Sequence, residues 1–282
     1  MEAYILYLEN IGKSENTIRT YINGLNTFIR WYEQTNNIKI NFKYVSSTDI
    51  EDYYNYLIYK AKYRDKNLSP STIKIKMKAI KIYFNYLISS SVVKENPIKS
   101  IPHKKSDEPL KVWLNTSEKQ ELLSYLTKNE LKEKNSWKYW RNVTIIYLML
   151  YGGLRISEVA ALRLNDIDSK FINIENNEKG NNRTVPISID TWNAYNNWVY
   201  KRGNIQDKSL FMSQKNQPLS IDGIQHYFKS IRKNFSFNVT PIILRNTYGY
   251  ELFQDGATTQ EVAVLMGLTT LESTKLYKMD RK

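Results

Sequence analysis

Few side chains in this sequence are placed to do chemistry. Arg155 stands in YGGLRISEVAALRL, directly after a Gly–Gly break and at the start of a helix. A guanidinium there aims a planar fork at a phosphate, and the free amides of the helix start face the same anion. Glu158, one turn on, is placed to hold or balance a guanidinium. The same two residues also make an ordinary surface Arg–Glu pair. Lys179 sits at the turn of NEKGNNRTVPI, where a lysine either reaches into a groove to donate a proton or serves only solubility. Arg245 follows the apolar Ile242, Ile243 and Leu244 in TPIILRNTYG. A permanent charge among residues that favour burial calls for an anion to accompany it. Tyr277 ends TTLESTKLY and, as one of 22 tyrosines, signals nothing alone.

Groups that move protons are scarce. The chain has no cysteine, which excludes disulfides, thiolate catalysis and Cys-ligated zinc. His103 and His226 are its only histidines, so no metal centre and no cofactor is expected. MEAYILYLEN lacks the basic start and long apolar core of a signal peptide. No apolar run approaches the ~18 residues needed to cross a membrane. A soluble, cytoplasmic protein is the expectation. The net charge of +13 favours a polyanion, either nucleic acid or an acidic membrane surface, over a basic surface with no single partner.

The positioning elements fall into two groups, as 282 residues suggest. Residues 1–98 read as helical. Ser14 caps a stripe of Ile18, Tyr21, Ile22, Leu25, Phe28, Ile29 and Tyr32. A third helix begins after Ser47 or Thr48 and covers TDIEDYYNYLIYKAKY. A fourth runs from about Ser71 to Ser89 with Ile73, Met77, Ile80, Phe84 and Leu87 on one face. Lys74, Lys78 and Lys81 lie beside that stripe, and Lys60 to Lys105 holds 12 Lys or Arg against 2 acidic residues. Such clustering fits a phosphate-contacting face better than a merely solvated one. A basic, Pro-containing linker with Lys104 and Lys105 spans 99–111 and separates this helical domain from a second domain, 112–282. There FINIEN and RTVPIS read as a β-hairpin among helices, so the fold class is mainly α with a small β-hairpin. The stretches TTQEVAVLMG and TLESTKLYKM read as two short closing helices.

In order, GGLRISE, KG, R-x-VP, TP-x-x-LR-x-T, LMG and ST-x-x-Y resemble the tyrosine recombinase (phage integrase-like) family, and YLENIGKSENTIRTYINGLNTFIRW resembles its helical core-binding domain. The resemblance covers nearly the whole chain. It implies a two-domain clamp on duplex DNA, with a core-binding domain and an α+β catalytic domain. It also implies roles: Arg155 and Arg245 would bind the scissile phosphate, Lys179 would protonate the departing 5′ oxygen, and Tyr277 would be the nucleophile. Glu158 would be a supporting acid. The product would be a 3′-phosphotyrosyl bond and a free 5′-OH, reversed by another strand's 5′-OH without metal or ATP. Partners would be a double-stranded recombination site and further copies of the chain, dimer to tetramer, with accessory proteins as an open possibility.

Two positions depart from that family's pattern. Ile242 stands where H-x-x-R has histidine, and Leu268 stands where a second His or Trp follows the LLG element. The histidine usual after the second arginine is Asn246, and Asn246 or Thr247 is the expected substitute donor. The compact length resembles the Xer-like or resolvase type, a mobile-element resolvase or integrase. The five residues after Tyr277 are too few for the docking helix of many relatives, unless a longer tail is missing here. The alternatives are a catalytically weakened DNA-binding regulator or architectural protein, and a relaxase that reseals the same strand.

Overall fold

A computed structural model describes residues 1–63, 65–98, 113–133, 137–175 and 182–278. The linker lysines Lys104 and Lys105, the hairpin lysine Lys179 and the four C-terminal residues lie outside these. The chain forms two compact units, Met1–Pro109 and Leu110–Lys282. No helix among the described residues is long and apolar enough to cross a membrane.

The first unit holds α1 (Glu2–Asn10), α2 (Glu15–Asn36), α3 (Ser47–Tyr59) and α4 (Pro70–Ser89). Ser46 starts α3 by accepting from Asp49 N while the Asp49 carboxylate accepts from Ser46 N, a reciprocal cap. Ser69 caps α4 at Thr72 N, with Pro70 as its first residue. The Ser46 cap of α3 lies one residue ahead of Ser47 and two ahead of Thr48, the two expected positions. α3 also stops at Tyr59, where the sequence pattern carried it to Tyr63. Lys62–Tyr63 (β1) instead pairs antiparallel with Lys66–Asn67 (β2). Two-residue strands carry no periodicity, so nothing in the pattern announces them. α2 and α4 pack most closely at Gly24, where a Cβ would stand 2.8 Å from the Ala79 Cβ. Two small residues let the backbones approach. Phe28, Tyr53, Leu57, Ile80 and Phe84 fill the core beside this crossing.

The second unit is built on α6 (Trp137–Leu150), preceded by α5 (Thr116–Glu133). Val143, Ile145, Ile146, Leu148, Met149 and Leu150 are all buried, so α6 is apolar round most of its circumference. α7 (Ile156–Ala161) follows, then the hairpin β3 (Phe171–Ile174) and β4 (Arg183–Pro186). Its register pairs Phe171 with Pro186 and Ile174 with Arg183. Alternation turns Ile172, Ile174, Arg183 and Val185 inward. α8 (Ile189–Arg202) and α10 (Pro241–Gln254) pack on α6, with α9 (Ile221–Ile231) between them in sequence. The Trp198 indole sits in this core and donates to Leu210 O at 3.0 Å. α11 (Thr259–Leu265) precedes a 3-10 stretch, Leu271–Lys278, where the sequence pattern predicted a short helix without fixing its winding.

Candidate active site

Arg155 reaches its position through Gly153. That glycine has φ +62°, and a Cβ on it would fall 2.4 Å from Tyr248 Cδ1. Only glycine fits both the left-handed backbone and the tyrosine ring. The chain then enters α7 with Glu158 at the third helical position, and its carboxylate accepts from Arg155 N at 2.7 Å. A Thr240 cap and Pro241 start α10 in the same deliberate way. Arg245 lies one turn inside it, 4% exposed.

Glu158 gathers three guanidiniums. Arg155 Nη1 donates to it at 2.7 Å, and Arg183 donates with both Nη1 and Nη2 at 2.8 Å. Arg245 Nη1 stands 3.9 Å away. Burial alone would raise the Glu158 pKa. The Arg183 hydrogen bonds and charge, with the Arg155 amide and guanidinium, overturn that and hold it at about 2. Backbone carbonyls satisfy the outer edges. Arg155 Nη2 donates to Gly267 O at 2.5 Å, Arg183 Nε to Leu265 O at 2.9 Å, and Arg245 to Gly153 O and Met266 O. Burial, then the neighbouring Arg155, lowers the Arg245 pKa to about 10, still charged at neutral pH. Three cations against one carboxylate leave two positive charges over, a surplus that an anion could neutralise.

Tyr277 lies beside it, 4% exposed. Its ring packs on α10 at Gly249, where a Cβ would meet the ring at 3.1 Å. Its hydroxyl donates to Asn246 Oδ1 at 3.3 Å. That contact is long for O–H···O, and an amide oxygen orients a phenol without taking its proton. Burial raises the Tyr277 pKa, while the charges of Arg245 and Arg155 pull it back down. Arg155, Glu158, Arg245, Asn246 and Tyr277 therefore come together as one cluster.

Other expectations fare differently. The Thr247 hydroxyl is engaged with the backbone. It accepts from Leu114 N at 2.9 Å and donates to Ile243 O at 2.8 Å, so its proton is committed to the backbone. Ile242 is 59% exposed and lines a cavity of about 560 Å³ together with Arg155, Arg245, Gln225, Lys229 and Arg232. Leu268 packs instead in the apolar cluster of Val262, Met266 and Tyr277. His226 is exposed on α9. Among the described residues no cluster of metal-ligating side chains occurs.

In the first unit Lys74 and Lys78 are exposed on α4 and Lys81 is half-buried. Sequence reasoning overlooked Lys76, whose amine donates to Thr27 Oγ1 at 3.2 Å across the α2–α4 contact. Burial, and then Arg30, lowers its pKa. It shares a cavity of about 690 Å³ with Lys62 and Lys66. Arg183 was quoted within R-x-VP but given no role, although R-x-V in a strand places arginine and valine on one face, and a buried arginine needs a carboxylate.

The sequence pattern of the phage integrase family matches residues 112–282, and that of the phage integrase N-terminal SAM-like domain matches residues 1–92. The chain belongs to the phage integrase family and is a tyrosine recombinase, an enzyme of site-specific DNA recombination. It is 25% identical over 273 residues to the tyrosine recombinase XerC of Listeria innocua serovar 6a, covering 94% of this chain and 87% of that one. A tyrosine recombinase of Pseudothermotoga lettingae is 26% identical over 282 residues, covering 97% and 90%. The fold is that of the Tn1549 transposon integrase solved in complex with a circular intermediate DNA (TM-score 0.75, 19% identity, 100% and 95% covered). It is likewise that of a lambda integrase dimer bound to a COC′ core site (TM-score 0.73, 16% identity, 99% and 94% covered).

Proposed function

We propose that Tyr277 cleaves duplex DNA at a phosphodiester held by Arg155 and Arg245. The observation that carries this reading is the surplus of two positive charges around Glu158 with a phenol beside it, which a phosphodiester passing to a more highly charged transition state would match. The Tyr277 oxygen attacks phosphorus, the P–O5′ bond breaks, and the 5′ oxygen takes a proton from Lys179. Solvent takes the proton of the phenol, since Asn246 cannot. A 5′-OH then attacks the phosphotyrosine, the P–O bond to Tyr277 breaks, and the phenol is restored. The diester's energy is kept throughout, so the cycle needs no metal and no nucleotide.

Lys74, Lys78, Lys81, Lys104 and Lys105 supply contacts to the DNA backbone in this reading. Copies of the chain act together on DNA, two to cleave and four to exchange strands, with accessory proteins setting direction. The compact form suits a mobile-element resolvase or integrase acting in the cytoplasm. The relatives solved on transposon-derived and phage-type core DNA lend support to that setting.

The test uses a nicked duplex library of randomised sequence, so that the cleaved fragment diffuses away and the intermediate is trapped. Wild-type protein in EDTA should give a covalent adduct on a denaturing gel, and sequencing the captured DNA gives the site. Tyr277→Phe should give none. An adduct that persists in Tyr277→Phe would assign the nucleophile elsewhere. No adduct from wild type, despite tight binding, would reduce the protein to a DNA-binding module.

A further inference from the structure

We infer that Arg183 is a positioning residue for cleavage: it fixes Glu158, and through Glu158 the two phosphate-binding arginines. The inference rests on the function proposed above. Arg183 belongs to β4 and faces inward beside Val185, with its side chain 3% exposed. Its guanidinium uses three directions at once. Nη1 and Nη2 clamp the two oxygens of Glu158, and Nε holds Leu265 O. It therefore ties the hairpin to α7 and to the turn that ends α11.

That turn also supplies the acceptors of the other two arginines. Arg155 donates to Gly267 O, and Arg245 to Met266 O. Gly267 has φ +56°, and a Cβ there would fall 2.6 Å from Arg183 Nη1. The turn is thus shaped around the Arg183 guanidinium as closely as around the reacting groups. The carboxylate gains from Arg183 the bidentate partner that keeps it ionised despite burial. Without it, Glu158 would be held only by the amide and guanidinium of Arg155, with nothing to fix it from the side of the hairpin. Arg183 itself is too buried to meet DNA, so its effect reaches the phosphate only through its neighbours.

The experiment measures single-turnover cleavage of the duplex captured by wild-type protein, together with duplex affinity in a Tyr277→Phe background and thermal unfolding. Arg183→Gln should slow cleavage on the order of 10–100-fold, the range seen when supports behind reacting or ligating groups are lost. Affinity should change by less than about threefold, since no DNA contact is removed. Arg183→Lys should fall with Arg183→Gln, because one amine cannot reproduce the fork. The double variant Glu158→Gln with Arg183→Gln should cleave no more slowly than Glu158→Gln alone, because Arg183 acts only through Glu158. Cleavage at the wild-type rate in Arg183→Gln overturns the inference, and so do losses from the two changes that add in the double variant. Failure of wild type to form any adduct overturns instead the recombination chemistry itself, and this inference with it.

Discussion

Asn246 and Ile242 stand where an imidazole would ordinarily help Tyr277 lose its proton. The amide oxygen of Asn246 holds the phenol at 3.3 Å but has no capacity to accept the proton. Ile242 shows the cavity only a hydrocarbon surface. With solvent as the acceptor, attack depends on the small phenolate fraction. Burial makes that fraction smaller, because it raises the Tyr277 pKa. Single-turnover cleavage should therefore climb roughly tenfold per pH unit through the neutral and mildly alkaline range. It should turn down as pH passes about 10, where Arg245 loses its charge and with it the phosphate. Ile242→His should flatten the climb above a pH of about 6.5 and raise the neutral rate on the order of 10²-fold. A wild-type profile flat across neutrality would show that a side chain, not solvent, takes the proton. The local contexts of Arg155, Glu158 and Arg245 singled them out in the sequence, Tyr277 stood out only through the family resemblance, and the structure brings all four together. Arg183 was visible only as part of R-x-VP, since its partner lies 25 residues away and its strand position is inward. The type of Thr247 suited a donor, and its hydroxyl proton is directed at Ile243 O.

At the scale of elements, the Ser14 cap was readable and precedes α2, whereas the α3 cap falls on Ser46 rather than on Ser47 or Thr48. The β1–β2 ladder was invisible because two-residue strands show no alternation, while the closing helix was legible but not its 3-10 winding. The Gly152–Gly153 break is where element and site meet. Gly153→Ala places a side chain in left-handed backbone, at about 1–2 kcal/mol, and also drives Tyr248 from its place. Its carbonyl is an acceptor of Arg245, so cleavage should fall along with stability. Denaturant unfolding should show a loss of at least about 2 kcal/mol with an unchanged m-value. A variant as stable as wild type would mean that Tyr248 yields freely. Gly12, also at positive φ but with open space around it, is the control, expected to lose only the backbone cost.

For the whole molecule, charge is the property that composition reports most directly. The excess of +13 is spread over both units, and 12 of the 41 basic residues lie between Lys60 and Lys105. Duplex affinity measured with Tyr277→Phe should fall by on the order of 10³-fold or more between about 50 and 200 mM salt, as several phosphate contacts require. A shallow response would point to recognition by few ionic contacts. Changing Lys74 and Lys78 together to Gln should lessen the slope by about two charges' worth if both meet phosphates. Lys76 should contribute less to the slope than its exposed neighbours, because part of its capacity is given to Thr27.

The 3-10 winding of Leu271–Lys278 has a mechanical consequence. On the reading proposed above, a strand joined to Tyr277 is moored to the protein through that one stretch. A 3-10 run of eight residues is longer than this winding usually sustains, since its hydrogen bonds are poorer than those of an α-helix. Its outer side carries local ties, Lys275 to Glu272 and Thr270 to Ser273, that part at little cost. Its inner side is held, with Thr274 and Tyr277 buried. The mooring is therefore firm on its inner face and loose on its outer one, beside an arginine cluster pinned by Glu158 and four backbone carbonyls.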